Sequence, residues 1–406
     1  MEFKYLAEKY NNTNIVVKII IGIILGIVAA AMFPAKPWFG IPGGLFVGAL
    51  KAIAPMLVFI LVISSLANGV KKHDDRFRIV IFLYVISTLI AAFCSVVASF
   101  LFPIDLALNT QIADTQAILP HGVGDIIHGL LVKIVINPLS SLSEGNYLGI
   151  LFWSIISGIA LRDIAADNTK NMLNDFAKCT SKVVSWIINF APFGIFGLVY
   201  SAISTNGTEI FITYGKLLLL LVGCMLFVYF VANPILIFVF TRRNPYPLIF
   251  RCFKDSGITA FFTRSSAANI PVNMALCEKL GLDKDLYAVS IPLGATINMG
   301  GAAVTISVMT MAAVHTLGIP VPFSLAVLLS ILSAFAACGA SGVAGGSLLL
   351  IPMACSLFGI SNDVAMHVVG VGFIVGVIQD SLETALNSSS DVIFSAVADF
   401  HKKSVE

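Results

Sequence analysis

The chain has 406 residues, 58% hydrophobic and only 11% charged, with a formal net charge of +2 and a mean hydropathy of +0.96. A soluble domain carries about a quarter of its residues charged, so this composition excludes one and describes a polytopic membrane protein. The small net charge leaves no footprint for nucleic acid, and seven scattered cysteines without CxxC or Cys/His spacing indicate neither a disulfide framework nor a zinc site.

Residues 1–14 are polar and lack a small-residue cleavage site, so the first apolar stretch reads as an uncleaved span. Stretches of membrane length, about 20 residues, lie at 15–33, 43–70, 79–102, 146–161, 183–203, 212–241, 286–315 and 365–398. A weaker stretch at 124–138 leads into the fourth as part of a broken helix. Positive charge marks cytoplasmic loops. It recurs at Lys71-Lys-His-Asp-Asp-Arg-Phe-Arg78, at Arg162, Lys170, Lys178 and Lys182, at Arg242, Arg243, Arg251 and Lys254, and at Lys402 and Lys403. The alternate loops 103–123, 204–211 and 316–324 contain neither Lys nor Arg. Eight spans with both termini cytoplasmic satisfy the alternation.

Two further stretches, 246–275 and 323–357, are apolar but rich in Gly, Ser and Ala. Residues 255–276 lie between Lys254 and Lys279, so both ends read as cytoplasmic; 323–357 has no such flank, so both ends read as external. Each is therefore expected to dip into the membrane and return. Two opposed hairpins meeting near the midplane are the mark of an inverted repeat. The first tip reads Thr263-Arg-Ser-Ser-Ala-Ala-Asn-Ile-Pro271, and its polar groups are tolerable at depth only beside a wet cavity. As an ordinary loop it would instead hold an N-cap serine. The second reads Ala336-Ala-Cys-Gly-Ala-Ser-Gly-Val-Ala-Gly-Gly-Ser347, glycine-rich enough to approach a ligand through its backbone, or to pack helices closely through Gly342 and Gly346.

Between the hairpins, Gly294-Ala-Thr-Ile-Asn-Met-Gly-Gly-Ala-Ala303 interrupts a membrane-length segment. Three glycines weaken a helix by roughly 1 kcal/mol each, and such a break turns backbone carbonyls toward something bound at mid-membrane. On the last span Asp380, Thr384, Asn387 and Asp391 follow i, i+4, i+7, i+11 and share one face, with Glu383 beside them. Acidic groups outnumber the nearby Arg264, so the site is expected to take cations. Its oxygen-rich, thiolate-poor character suits a hard ion such as sodium. Lys51 is expected to snorkel to the outer interface, and His315 and His367 to be polar residues near span ends.

In that order, the Thr263-Arg-Ser-Ser tip, the Gly294-Ala-Thr-Ile-Asn-Met break, the second glycine-rich tip and the Asp380…Asn387…Asp391 face resemble the dicarboxylate/amino acid:cation symporter family over essentially the whole chain. The resemblance implies an all-α polytopic membrane protein with eight transmembrane helices, two opposed re-entrant helical hairpins and an inverted repeat, working as an elevator-type transporter in a homotrimer. Residues 1–75 and 104–208 would form the scaffold; 76–103 and 209–406 would form the transport domain, with the second hairpin as outer gate. It implies no prosthetic cofactor, sodium as coupling ion, and the bacterial inner membrane as location. By position, Ser265, Ser266, Asn387, Thr384 and the backbone at Val343 and Gly345 would hold the substrate carboxylate and its surroundings, and Asp380 its amino group. One sodium would sit on Asp391 with carbonyls near Gly294, Asn298 and Asn387, a second on Thr296 with carbonyls at Ala337, Cys338 and Ala340.

Three departures from the family pattern matter. Glu383 replaces an Arg, and Ala302 a Thr, that serve acidic substrates. An ionised Glu383 about 6 Å from a substrate carboxylate would repel it by about 3 kcal/mol at an effective dielectric of 20. A small neutral amino acid therefore fits better, and Glu383 could accept a hydrogen bond from a hydroxyl. With the resemblance this implies serine or threonine as substrate, with acidic amino acids or dicarboxylates as the alternative. Gly300 replaces an Asp, so a third sodium site at Tyr84, Ser87 and Thr88 is expected to be weakened or lost. Two other classes of protein compete with transport. An intramembrane serine protease would use Gly339-Ala-Ser341-Gly with His367; a passive channel would not accumulate its solute.

Overall fold

The computed structural model describes residues 15–34, 36–68, 75–106, 132, 134–340 and 345–405. It is built from helices, with no strand among the described residues. The first span is α1 (Ile15–Met32). A 3-10 turn at Pro37–Gly40 runs into α2 (Ile41–Ala67), together making one apolar rod, Pro37–Ala67. Then come α3 (Asp75–Leu101) and α4 (Pro138–Glu144), whose N-cap Asn137 accepts from the N–H groups of Leu139 and Ser140. Most of the weak stretch 124–138 lies outside the described residues, but the break before the fourth span is visible. Gly145, at φ 68°, ends α4 in a left-handed turn open to glycine, and α5 (Tyr147–Ile164) follows.

The stretch 183–203, read from the sequence as one apolar segment of membrane length, is bent. It straddles α6 (Asp167–Asn189) and α7 (Ala191–Asn206), which meet at 53°. Pro192, in the first turn of α7, has no N–H to continue the ladder from α6. The sixth span joins α8 (Ile210–Phe227) to α9 (Asn233–Thr241) through a π turn at Val228–Ala232, where Asn233 N–H reaches back to Val228 O ahead of Pro234.

The stretch 246–275 folds back on itself. It comprises α10 (Tyr246–Cys252), a π turn at Phe253–Gly257, α11 (Ile258–Thr263) and α12 (Ser266–Lys279). The chain reverses at Arg264, which is held left-handed at φ 52°. Ser256 on one arm donates to Asn273 on the other, and Asn269 Nδ2 lies 2.9 Å from Ser256 Oγ. Next are α13 (Lys284–Ile297), α14 (Gly300–Thr316) and α15 (Phe323–Ala337). A 3-10 turn at Leu348–Leu350 then leads into α16 (Ile351–Ser356), and α17 (Asn362–Val405) ends the described chain. Among the described residues seven helices are long and apolar enough to cross a membrane, and the bent α6–α7 pair makes an eighth if it is one span. That matches the eight stretches read from the sequence and a multi-pass membrane protein.

The helices pack in overlapping sets, and α17 touches α1, α2 and α7 as well as the helices named below. α1 lies along α7, and α2 packs on α5, α6 and α7. The α2–α7 crossing is close because both helices bring glycine to it: a Cβ on Gly197 would run into the backbone of Gly43. α3 packs instead on α14 and α15, and α17 gathers α3, α8, α9 and every helix from α10 to α14, with α16. From Gln379 to Asp399 α17 is buried along its whole circumference, which an amphipathic surface helix never is. Lys51 has a partner that its place in the apolar stretch did not announce. It forms an ion pair with Asp363, in the first turn of α17, with both side chains partly exposed. A cavity of about 410 Å³ opens beside this pair, lined by Gly44 and Gly48 of α2, Leu198 of α7 and His367 and Gly370 of α17.

Candidate functional site

The buried middle of α17 faces the α13–α14 junction on one side and the two glycine- and serine-rich turns on the other. At the junction the helix is broken by Asn298 (φ −89°, ψ 79°) and Met299 (φ −121°, ψ 45°), while Gly294, Gly300 and Gly301 remain helical. The break therefore falls between the glycines. Two of them serve close approach: a Cβ on Gly294 would collide with Asp391 Oδ1, and one on Gly301 would stand 3.0 Å from Glu383 Cα.

Freed from the helix, the Asn298 side chain points Nδ2 at Ser390 Oγ (2.8 Å), Asp391 Oδ1 (2.8 Å) and Asn387 O (3.2 Å). Asp391 is completely buried. Its Oδ2 has no hydrogen-bond partner among the described residues. A buried carboxylate oxygen without a donor is costly, and its surroundings supply what a cation needs. Tyr84 OH lies 3.4 Å from Asp391 O and 3.1 Å from Ser290 O. Gly294 O, on the residue that makes the crowded contact, accepts the Asn298 N–H at 2.9 Å, and a carbonyl oxygen has a second lone pair to offer. Carbonyls and a single carboxylate form a hard-ion donor set.

The other expected sodium ligands are disposed as follows. Thr296 Oγ1 is turned onto Leu293 O at 2.8 Å. Cys338 Sγ reaches Ile297 O at 3.4 Å, which brings the end of α15, with buried Ala337 and Ala340, against the break. Ser87 donates to Asn233 Oδ1 (2.7 Å) and Thr88 to Tyr84 O (2.8 Å), so both hydroxyls have protein partners. Beside Gly300 a cavity of about 10 Å³ is lined by Ser87, Asn233, Asn298 and Asn387, about the size of one water.

Toward the tips, Asp380 is doubly engaged. Arg264 Nε lies 2.6 Å from Oδ2, and Gly345 N–H donates to Oδ1 at 2.9 Å. One carboxylate thus pins both turns. Arg264 carried no assigned partner in the sequence reading; the signal was available, because an arginine buried at depth requires a carboxylate. Glu383 Oε2 receives Thr305 Oγ1 (2.8 Å), Ser347 Oγ (2.8 Å) and Gln379 Nε2 (2.5 Å). None of these three partners was singled out in the sequence, although Gln379 sits one turn before Glu383. Ala302 is fully buried on α14, one turn before Thr305.

Asn387 accepts the Gly301 N–H at 2.7 Å and directs Nδ2 to Met299 Sδ at 3.4 Å. Thr384 donates to Asp380 O at 2.8 Å. Ser265, proposed as a substrate ligand, has its side chain on the Ala268 N–H at 3.2 Å as the N-cap of α12. Ser266 begins that helix and is buried. A further polar network went unnoticed in the sequence: Asn269 and Asn273 both reach Ser388 of α17, fastening α12 to it. Val343, and Ser341 of the protease reading, lie outside the described residues. His367 faces the cavity beside Lys51.

A family model described as the sodium:dicarboxylate symporter family matches residues 15–400. Curated relatives called serine/threonine transporter SstT are similar end to end. The one from Bifidobacterium adolescentis is 58% identical over 396 residues, covering 98% of this chain and 92% of that protein. Those from Streptococcus agalactiae and Streptococcus thermophilus are 58% and 55% identical, each covering 98% of both chains.

Proposed function

Because the chain belongs to the sodium:dicarboxylate symporter family, we propose that it is a secondary active transporter that couples inward sodium movement to uptake of serine and threonine across a bacterial inner membrane. The observation that carries the sodium half is the orphaned Oδ2 of buried Asp391. Bound there, a sodium ion would satisfy that oxygen together with carbonyls of Gly294, Asn298 and Asn387. A second ion would use Thr296 and the carbonyls of Ala337, Cys338 and Ala340. The choice of substrate rests on Glu383, whose carboxylate stands where an acidic substrate needs a cation. The relatives' names agree with this reading.

Transport in this reading is a movement of one set of helices against another. Residues 1–75 and 104–208 act as scaffold in a trimer, and 76–103 and 209–406 move across the membrane as one body, with both termini cytoplasmic. The turns at Arg264 and Gly345 are re-entrant tips whose shared grip on Asp380 keeps the site shut. A substrate ammonium competes with Arg264 for that carboxylate, while Ser266, Thr384, Asn387 and the backbone near Val343 receive the substrate carboxylate. Ser87 and Thr88 are engaged elsewhere and residue 300 offers no carboxylate, which favours two coupled sodium ions over three. Uptake of radiolabelled serine, threonine, alanine and aspartate into proteoliposomes tests the proposal, with sodium, lithium or proton gradients. Serine and threonine should accumulate above equilibrium only with inward sodium; preferred aspartate, or accumulation indifferent to sodium, refutes it.

A further inference from the structure

The three donors to Glu383 have a property that the transport reading does not use. All of them converge on one oxygen, Oε2, and no described residue donates to Oε1. The donors come from three separate elements: Thr305 from α14, Gln379 from α17 itself, and Ser347 from the glycine-rich turn after α15. Gln379 also places Nε2 2.6 Å from Thr305 Oγ1, so the amide holds the hydroxyl as well as the carboxylate. It is completely buried, and its own Oε1 has no partner among the described residues. An amide so placed fixes which way the Glu383 carboxyl plane faces.

We propose that Gln379 is a positioning residue for substrate selection: by holding Oε2 through Nε2, with Thr305, it turns Glu383 Oε1 to accept the hydroxyl of serine or threonine. The inference rests on the proposed function and specifies how that site prefers a hydroxylated side chain. Recognition of this kind discriminates sharply, because an analogue without the hydroxyl leaves a buried acceptor unpaired. Ser347 adds a condition. It belongs to the turn that also grips Asp380, so Oε2 is fully held only while that turn is seated.

The test uses full-length protein in proteoliposomes, with KM and kcat for serine, threonine and alanine at saturating sodium. Gln379→Met keeps the volume and removes the donor. It should raise KM for serine and threonine by about tenfold, the effect of one lost charge-assisted hydrogen bond, while KM for alanine and all three kcat values stay within about twofold. Thr305→Val should shift the same ratio, and Thr305→Ser, which keeps the hydroxyl, should restore it. An unchanged serine-to-alanine KM ratio in Gln379→Met overturns the proposal. So does an equal loss for all three substrates, which marks a packing role. If Gln379→Met does not fold, the Thr305→Val and Thr305→Ser pair decides by the same ratio. Wild-type protein that fails to accumulate serine on a sodium gradient would refute the transport reading itself, a result separable from any variant.

Discussion

Gly294 offers the sharpest test of the cation site, because a single methyl reaches it without altering charge. In Gly294→Ala the new Cβ would collide with Asp391 Oδ1 and stand 2.7 Å from both Asp391 Cγ and the Tyr84 hydroxyl. Both neighbours are fully buried, so neither can swing into solvent. Overpacking of this kind costs about 1–3 kcal/mol. If that strain falls on the ion-bound arrangement, sodium affinity drops roughly five- to 150-fold. The assay is the sodium dependence of serine uptake in proteoliposomes, with thermal unfolding as a check on the fold. Half-saturating sodium should rise by that factor, and serine KM at saturating sodium should move far less. Gly300→Ala is the matched control, since its Cβ would meet only Ala91 Cβ at an ordinary 3.6 Å. A folded Gly294→Ala protein with wild-type sodium dependence would refute the placement of an ion beside Asp391.

Other substitutions probe the remaining assignments. Glu383→Arg should shift preference toward aspartate by about a hundredfold, from about 3 kcal/mol of charge repulsion removed, with the unpartnered Gln379 Oε1 ready to accept from the guanidinium; aspartate still excluded in uptake assays would place specificity elsewhere. Asp391→Asn should abolish sodium-dependent accumulation while leaving the protein folded, and retained accumulation would dismiss Asp391 as an ion ligand. Gly300→Asp puts a carboxylate beside the cavity lined by Ser87 and Asn298 and should raise the sodium-to-serine ratio measured from reversal potentials. A wild-type ratio of three, or no rise in the variant, would contradict a lost third site.

The features legible in the sequence were those carried by composition along a continuous stretch. Hydropathy located the spans, glycine and serine marked the two turns and the α13–α14 break, and helical spacing put Asp380, Thr384, Asn387 and Asp391 on one face. What stayed hidden depends on contacts between distant stretches. Arg264 and Asp380 are 116 residues apart, and Lys51 and Asp363 are 312 apart; periodicity carries no information about such pairing. Burial also misleads locally. Thr305 and Ser347 read as ordinary small polar residues among apolar neighbours, and only their convergence on Glu383 gives them significance. The bend between α6 and α7 was hidden because hydropathy averages across Pro192 as though the chain ran straight.

The Lys51–Asp363 pair has a metric consequence. Lys51 lies near the middle of the apolar rod Pro37–Ala67, about 20 Å from its Pro37 end at 1.5 Å per residue. Asp363 belongs to the opening turn of α17. α17 therefore begins level with the midpoint of α2, staggered by more than half the thickness of a hydrocarbon core of about 30 Å. A slide of α17 along α2 by more than the flexible lysine stem can follow parts the two charges. The pair thus marks the relative height of the two helices to within the reach of one side chain.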